Sequence, residues 1–181
     1  MKSKVGIVGA AGYTGGELIR LLLNHPKVEL NYISSRSQAG KNVAEVHQDL
    51  IGQTDLVFTA DYPEGLNVLF LCLPHGHSKE FLNKTEIPTS TKIIDLSNDF
   101  RLKDDAEGFV YGLPELNANQ IKSASKIANP GCFATAIQLA ILPLAKNKLL
   151  QSEVHVSAIT GSTGAGVNPL PTTHFSWRNN N

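Results

Sequence analysis

Cys132 stands in the segment NPGCFAT, directly before a run in which Phe133, Ala136, Ile137, Ala140, Ile141 and Leu144 recur at helical spacing. Pro130 and Gly131 turn the chain there, so the cysteine is expected at a helix N-terminus. The helix dipole and the unpaired N–H groups of the first turn favour a thiolate at such a position. The same N–H groups suit an oxyanion on an attacked carbonyl, which makes Cys132 the candidate nucleophile. The only other cysteine, Cys72, lies in the apolar run LFLCLP and reads as core. Two cysteines exclude a disulfide framework and a four-cysteine zinc site. Cys72, His75 and His77 lack a second pair of ligands at suitable spacing, so no metal is expected.

A second kind of chemistry is written near the N-terminus. GAAGYTG places Gly9, Gly12 and Gly15 in a G-x-x-G-x-x-G turn, with Tyr13 and Thr14 at its exit. Between a strand and a helix, such a turn lets the backbone approach a pyrophosphate, which accepts hydrogen bonds from the helix start. No G-K-S or G-K-T follows at the right spacing, so a phosphate-binding P-loop is not expected. The next strand ends in Ser34, Ser35 and Arg36, where an NAD site would carry an acidic residue for the ribose 2′-hydroxyl. Two hydroxyls and a guanidinium suit a 2′-phosphate instead, so the expected cofactor is NADP(H). Pro74 and His75, in LPHG after another apolar run, read as a further cofactor-side loop.

These groups need a scaffold, and the pattern of apolar residues supplies one. Residues 5–8 form a short apolar strand. A helix over residues 14–25 puts Leu18, Leu21 and Leu22 on one face, with Thr14 and Glu17 at capping-box spacing and Pro26 beyond its end. Strands are expected at 28–34, 66–73 and 92–96, the last two as continuous apolar runs suited to a parallel sheet covered on both faces. Helical residues lie between them at 78–83. Residues 103–120 read as a polar excursion. Pro143 should kink or end the helix after Cys132. Residues 154–159 alternate in strand fashion, followed by the glycine cluster GSTGAG. The sum is an α/β fold, a doubly wound Rossmann-type parallel sheet over residues 1–150, followed at 151–181 by the opening of an α+β catalytic domain.

With 181 residues, 41% of them hydrophobic and 18% charged, the chain has material for a true core. Sixteen basic and sixteen acidic residues balance, which removes the broad basic surface needed for nucleic-acid or anionic-membrane binding. No stretch approaches the ~18 apolar residues of a membrane span. MKSKVGIVG carries no apolar signal region, and a reducing cytoplasm is the expected compartment.

Taken in order, GAAGYTGGEL, SSRSQAGK, LPHGHS, DLSNDFRL, YGLPEL, NPGCFAT and GSTGAG resemble the N-acetyl-gamma-glutamyl-phosphate reductases, over nearly the whole chain. The resemblance implies an NADPH-dependent enzyme of arginine biosynthesis that reduces a small acyl phosphate through a cysteine thioester, homo-oligomeric at full length. It assigns Cys132 as catalytic cysteine, Gly9 to Gly15 as cofactor turn, Ser35 and Arg36 as 2′-phosphate site, and Ser162 and Gly164 as part of a loop near the nicotinamide. Arg101 is similar to an arginine that handles substrate anions in the related aspartate-semialdehyde dehydrogenases. Two departures stand out. Val167 follows GAG where family members carry arginine, and the family's histidine acid/base lies downstream of a position like Asn181; His174, in THF, does not match that motif. An aspartate-semialdehyde dehydrogenase-like enzyme, a non-catalytic NADP-binding module and a cysteine hydrolase are the alternatives. NPGCFAT and YGLPEL speak against the first, and the dinucleotide turn would have no purpose in the last.

Overall fold

Short runs of buried aliphatic residues lay down the sheet. The computed structural model describes residues 1–167. Its strands β1 (Ser3–Val8), β2 (Val28–Ser34), β3 (Val68–Leu71), β4 (Lys92–Asp95), β5 (Val110–Tyr111) and β6 (Lys126–Ala128) form one sheet in the order β2-β1-β3-β4-β6-β5. Every pairing is parallel. The connecting α-helices are α1 (Tyr13–Leu23), α2 (Val43–Val46), α3 (His77–Lys84), α4 (Pro114–Ser123) and α5 (Cys132–Lys146). Because β1 lies between β2 and β3, the chain leaves it first to one side and then to the other. That reversal opens a crevice at the C-terminal ends of β1 and β3, where doubly wound sheets take their ligands.

Both faces of the sheet are covered, which is why its strands are apolar throughout. On one face Ile7 and Ile33 pack with Ile19 of α1 and with Val43, Leu50 and Phe58. On the other, Val8, Leu69, Leu71 and Ile93 pack with Phe100 and Phe109, whose rings stack at 4.0 Å. Each such fully buried side chain contributes about 1.5–3 kcal/mol of transfer free energy.

Four expectations are corrected. Thr14 does not cap α1: Gly12 is the N-cap, with no side-chain bond, and Glu17 pairs with Arg20 one turn on. Residues 103–120 are not an irregular excursion. Pro114 begins α4, which is kinked at Asn117, and Val110 and Tyr111 form β5 against β6. Pro143 lies inside α5, which runs on to Lys146; so near the C-terminus the ring removes one ladder bond without breaking the helix. Residues 154–159 form no strand, since no described strand pairs with them. The apolar members of the alternation are left exposed, Ile159 completely.

Candidate active site

Every loop singled out on residues 9–15, 34–36, 74–75 and 129–132 leaves the C-terminal edge of the sheet, from β1, β2, β3 and β6. The glycine turn is held from inside. Gly9 has φ +78°, and a side chain there would meet the Cys72 carbonyl oxygen at 2.5 Å. A Cβ at Gly15 would stand 2.5 Å from the Ala10 Cα, so the helix start rests directly on the turn. Gly12 differs. Its φ of −80° suits any residue, and the nearest atom to an added Cβ is the Gly9 carbonyl oxygen at 3.7 Å. Protein packing does not require glycine at this position, which leaves open the space in front of the helix. The Gly16 N–H is the first to return to the turn, on the Gly12 carbonyl at 2.9 Å. The N–H groups of Tyr13, Thr14 and Gly15 therefore have no intrahelical acceptor.

At the end of β2, Ser34 and Ser35 are buried and Arg36 is exposed. The Ser34 carbonyl accepts the Ala10 N–H at 2.9 Å, which ties this end of the site to the glycine turn. Pro74 and His75 are both exposed after β3. The Asn98 N–H donates to His75 Nδ1 at 3.1 Å, so the neutral ring carries its proton on Nε2.

The segment after β4 braces the loops on either side of it. Asp99, almost fully buried, accepts the N–H groups of Gly76 at 2.6 Å, Ser78 at 3.0 Å and Lys79 at 3.1 Å, and so caps α3. Burial alone would raise the Asp99 pKa, but the N–H groups of Gly76, Lys79 and Ser78, with the Ser97 hydroxyl, outweigh it and hold it below the usual value. On the other side, Arg101 donates from Nε to the Asn129 carbonyl at 2.8 Å and from Nη2 to the Leu96 carbonyl at 2.7 Å. Its Nη1 would lie 3.0 Å from a Cβ on Gly131. Arg101 is thus fastened beside the cysteine loop.

Replacing Asp99 by alanine is expected to lower stability at pH 7 by about 2–3 kcal/mol, because three donors lose a charged acceptor. The folded carboxyl has the depressed pKa, so its contribution is complete above the unfolded value near ~3.9 and is lost as the pH falls through the folded value. Urea unfolding should therefore show a gap between wild type and Asp99→Ala at pH 7 that narrows towards pH 3.

Cys132 is exposed and is the first residue of α5, with Gly131 as N-cap. The Thr135 N–H and hydroxyl both donate to the Gly131 carbonyl, at 2.8 and 2.9 Å. The N–H groups of Cys132, Phe133 and Ala134 are left without an intrahelical acceptor around the sulfur-bearing residue. Cys72 contrasts with it. It follows β3, donates its N–H to the Val8 carbonyl at 2.8 Å and packs on the core. Burial, with a smaller contribution from nearby Asp95, pushes its pKa up to about 12. Ser162 and Gly164 lie in an exposed 3-10 turn at Ser162–Ala165, whose backbone bonds run within residues 161–166. His174 falls outside the described residues. Among the described residues no group of three or more His, Cys, Asp or Glu could hold a metal ion.

A family model described as the semialdehyde dehydrogenase NAD-binding domain matches residues 4–124. The chain belongs to the semialdehyde dehydrogenase family. A second model, the semialdehyde dehydrogenase dimerisation domain, matches residues 132–181, so that the dimerisation domain begins at Cys132 in the family's division. Among curated relatives, proteins named N-acetyl-gamma-glutamyl-phosphate reductase from Christiangramia forsetii and Azobacteroides pseudotrichonymphae are 58% and 60% identical over 98% of this chain. The chain spans about half their length, 56% in both. Among solved structures, aspartate semialdehyde dehydrogenase with NADP from Candida albicans is 18% identical with a TM-score of 0.62, over 82% of this chain and 48% of its own. Aspartate semialdehyde dehydrogenase II from Vibrio cholerae is 16% identical with a TM-score of 0.64, over 81% and 43%. These semialdehyde dehydrogenases share the fold.

Three residues of this family member's site carry no local sequence signal. Asp99 accepts backbone N–H groups 20 or more positions away, the Asn98 N–H donates to the His75 ring 23 positions away, and His47 donates from Nε2 to the Ala10 carbonyl at 2.8 Å, across 37 positions.

Proposed function

We propose that this chain supplies the NADP(H)-binding part and the nucleophile of an N-acetyl-gamma-glutamyl-phosphate reductase, forming N-acetylglutamate 5-semialdehyde and phosphate in arginine biosynthesis. The observation that carries this reading is the exposed Cys132 at the first position of α5, on the sheet edge that also carries the glycine turn. A non-catalytic dinucleotide-binding module would leave that cysteine without a role. The substrate follows from the names of relatives near 60% identity; the aspartate semialdehyde dehydrogenases share far less sequence.

The residues fit NADP(H). Gly12 leaves the space a pyrophosphate needs, the N–H groups of Tyr13, Thr14 and Gly15 await an acceptor, and residues 34–36 offer hydroxyls and a guanidinium with no carboxylate. In the reaction, Cys132 Sγ attacks the acyl carbon, the bond from that carbon to the phosphate oxygen breaks, and phosphate leaves with the electron pair. A thioester remains on Cys132. The unpaired N–H groups at the start of α5 stabilise the oxygen anion formed on attack. NADPH, when bound, supplies the hydride that reduces the thioester. Arg101 Nη1, beside Gly131, is assigned to a substrate anion, Pro74 and His75 to the cofactor, and Ser162 and Gly164 to its nicotinamide side. Gln138 Nε2 on the Tyr111 hydroxyl at 2.9 Å and Lys146 Nζ on the Glu115 carbonyl at 2.8 Å support grouping α5 with the cofactor domain, residues 1–150, with 151–181 opening the substrate and dimerisation domain. The family's dimerisation model supports a homo-oligomer. Two free cysteines support a cytoplasmic location, and among the described residues no helix is long and apolar enough to cross a membrane.

Phosphate-dependent reduction of NADP+ by N-acetylglutamate semialdehyde, in the protein expressed at its relatives' length, tests this reading. Activity on that aldehyde over aspartate semialdehyde is expected, and the reverse preference would overturn the substrate assignment. Calorimetry should also show tighter binding of NADP+ than NAD+. Arg36→Asp should cut the ratio by about tenfold or more, since it exchanges a charge-assisted bond for repulsion.

A further inference from the structure

The glycine turn is held by a side chain from outside the dinucleotide motif. His47 ends α2 and opens the following 3-10 turn, its own N–H on the Val43 carbonyl at 2.9 Å and its carbonyl accepting the Leu50 N–H at 2.9 Å. Val43 and Leu50 are fully buried, and Phe58 packs at a tilt to the imidazole, so the corner that carries the ring is anchored. From there Nε2–H donates to the Ala10 carbonyl at 2.8 Å. A carbonyl can only accept, so the neutral tautomer is set with Nδ1 unprotonated.

Ala10 is fully buried and held on both sides. Its N–H is bound by the Ser34 carbonyl and its carbonyl by His47. A Cβ on Gly15 would come within 2.7 Å of that carbonyl oxygen, so the helix start gives it no room to turn towards another donor. The ring also lies flush on α1: a Cβ on Gly16 would meet His47 Cε1 and Nδ1 at 2.5 Å. Gly16 thus serves the histidine, outside the G-x-x-G-x-x-G pattern.

We propose that His47 is a positioning residue for the cofactor turn. By fixing the Ala10 carbonyl it keeps the turn in the conformation that leaves the N–H groups of Tyr13, Thr14 and Gly15 aimed outward at a pyrophosphate. The inference rests on the NADP(H) reading above. Preorganisation of this kind raises affinity by removing the cost of ordering the loop on binding, and it acts on the part of the ligand that meets the loop.

Calorimetry on this chain with two probes, NADP+ and adenosine 2′-monophosphate, tests it. The second probe has no pyrophosphate and reaches only the end of the site at Ser34 to Arg36. His47→Phe keeps a ring and loses the donor, and is expected to weaken NADP+ about tenfold while leaving the monophosphate within about twofold. His47→Gln restores an N–H donor at similar reach and should recover most of the loss. Gly16→Ala displaces the ring without removing it and should repeat the selective loss, which keeps the test decisive where the phenylalanine variant does not fold. Unchanged NADP+ affinity in the variants, equal weakening of both probes, or failure of glutamine to rescue would overturn the role of His47. A wild-type chain that binds no NADP+ would instead overturn the cofactor reading beneath it.

Discussion

Gly12→Ala is expected to weaken NADP(H) binding about a hundredfold or more while leaving the fold intact, the opposite of what alanine does at Gly9 and Gly15. At Gly12 the backbone is extended, and an added methyl meets nothing closer than 3.7 Å, so the cost in stability is the exchange of one N-cap residue for a poorer one, below about 1 kcal/mol. The methyl would occupy the space through which a pyrophosphate must approach the helix start. At Gly9 the positive φ and the Cys72 carbonyl both oppose a side chain, and at Gly15 the Ala10 backbone does. Those two variants should lose stability by about 2 kcal/mol or more. Thermal melts and calorimetry on the three variants separate the roles. Normal cofactor affinity in Gly12→Ala would show that the turn does not cradle the pyrophosphate.

The two cysteines should behave as differently as their surroundings. In the protein at its relatives' length, Cys132→Ala is expected to reduce turnover by about a thousandfold or more, since no other group in the described site can form the thioester. Cys72→Ala should stay within a few-fold of wild type. With its pKa pushed up to about 12 by burial and by Asp95, Cys72 is a neutral thiol throughout pH 6–9 and offers no thiolate. Steady-state rates with the acyl phosphate check both. Equal loss in the two variants would undo the assignment of the nucleophile.

The parts of this fold that could be read from sequence are those with local causes. β1, β3 and β4 are apolar runs long enough to stand out, and Cys132 is marked by its neighbours, a Pro-Gly turn before it and an amphipathic helix after it. β6 has three residues and β5 two, too few to show any period, and they exist because the edge of β4 is there to pair with. α4 buries no residue and is interrupted at Asn117, so its apolar positions trace no stripe. The alternation at 154–159 misled for the same reason in reverse, since a strand needs a partner as much as a pattern. The Thr14 hydroxyl is a visible signal for a cap, whereas Gly12 caps α1 through backbone shape alone. His47 and Asp99 were invisible because their partners, the Ala10 carbonyl and the N–H groups of residues 76–79, come close only once the sheet has formed.

A thioester mechanism requires Cys132 to carry the acyl group between its two steps. Incubating the protein with N-acetyl-gamma-glutamyl phosphate in the absence of NADPH, quenching in acid and mapping peptides by mass spectrometry addresses it directly. The expected result is a mass increase of one N-acetylglutamyl group on the peptide containing Cys132, accompanied by release of phosphate and lost in Cys132→Ala. An adduct on the Cys72 peptide, or turnover on adding NADPH by a protein that never becomes acylated at Cys132, would contradict it.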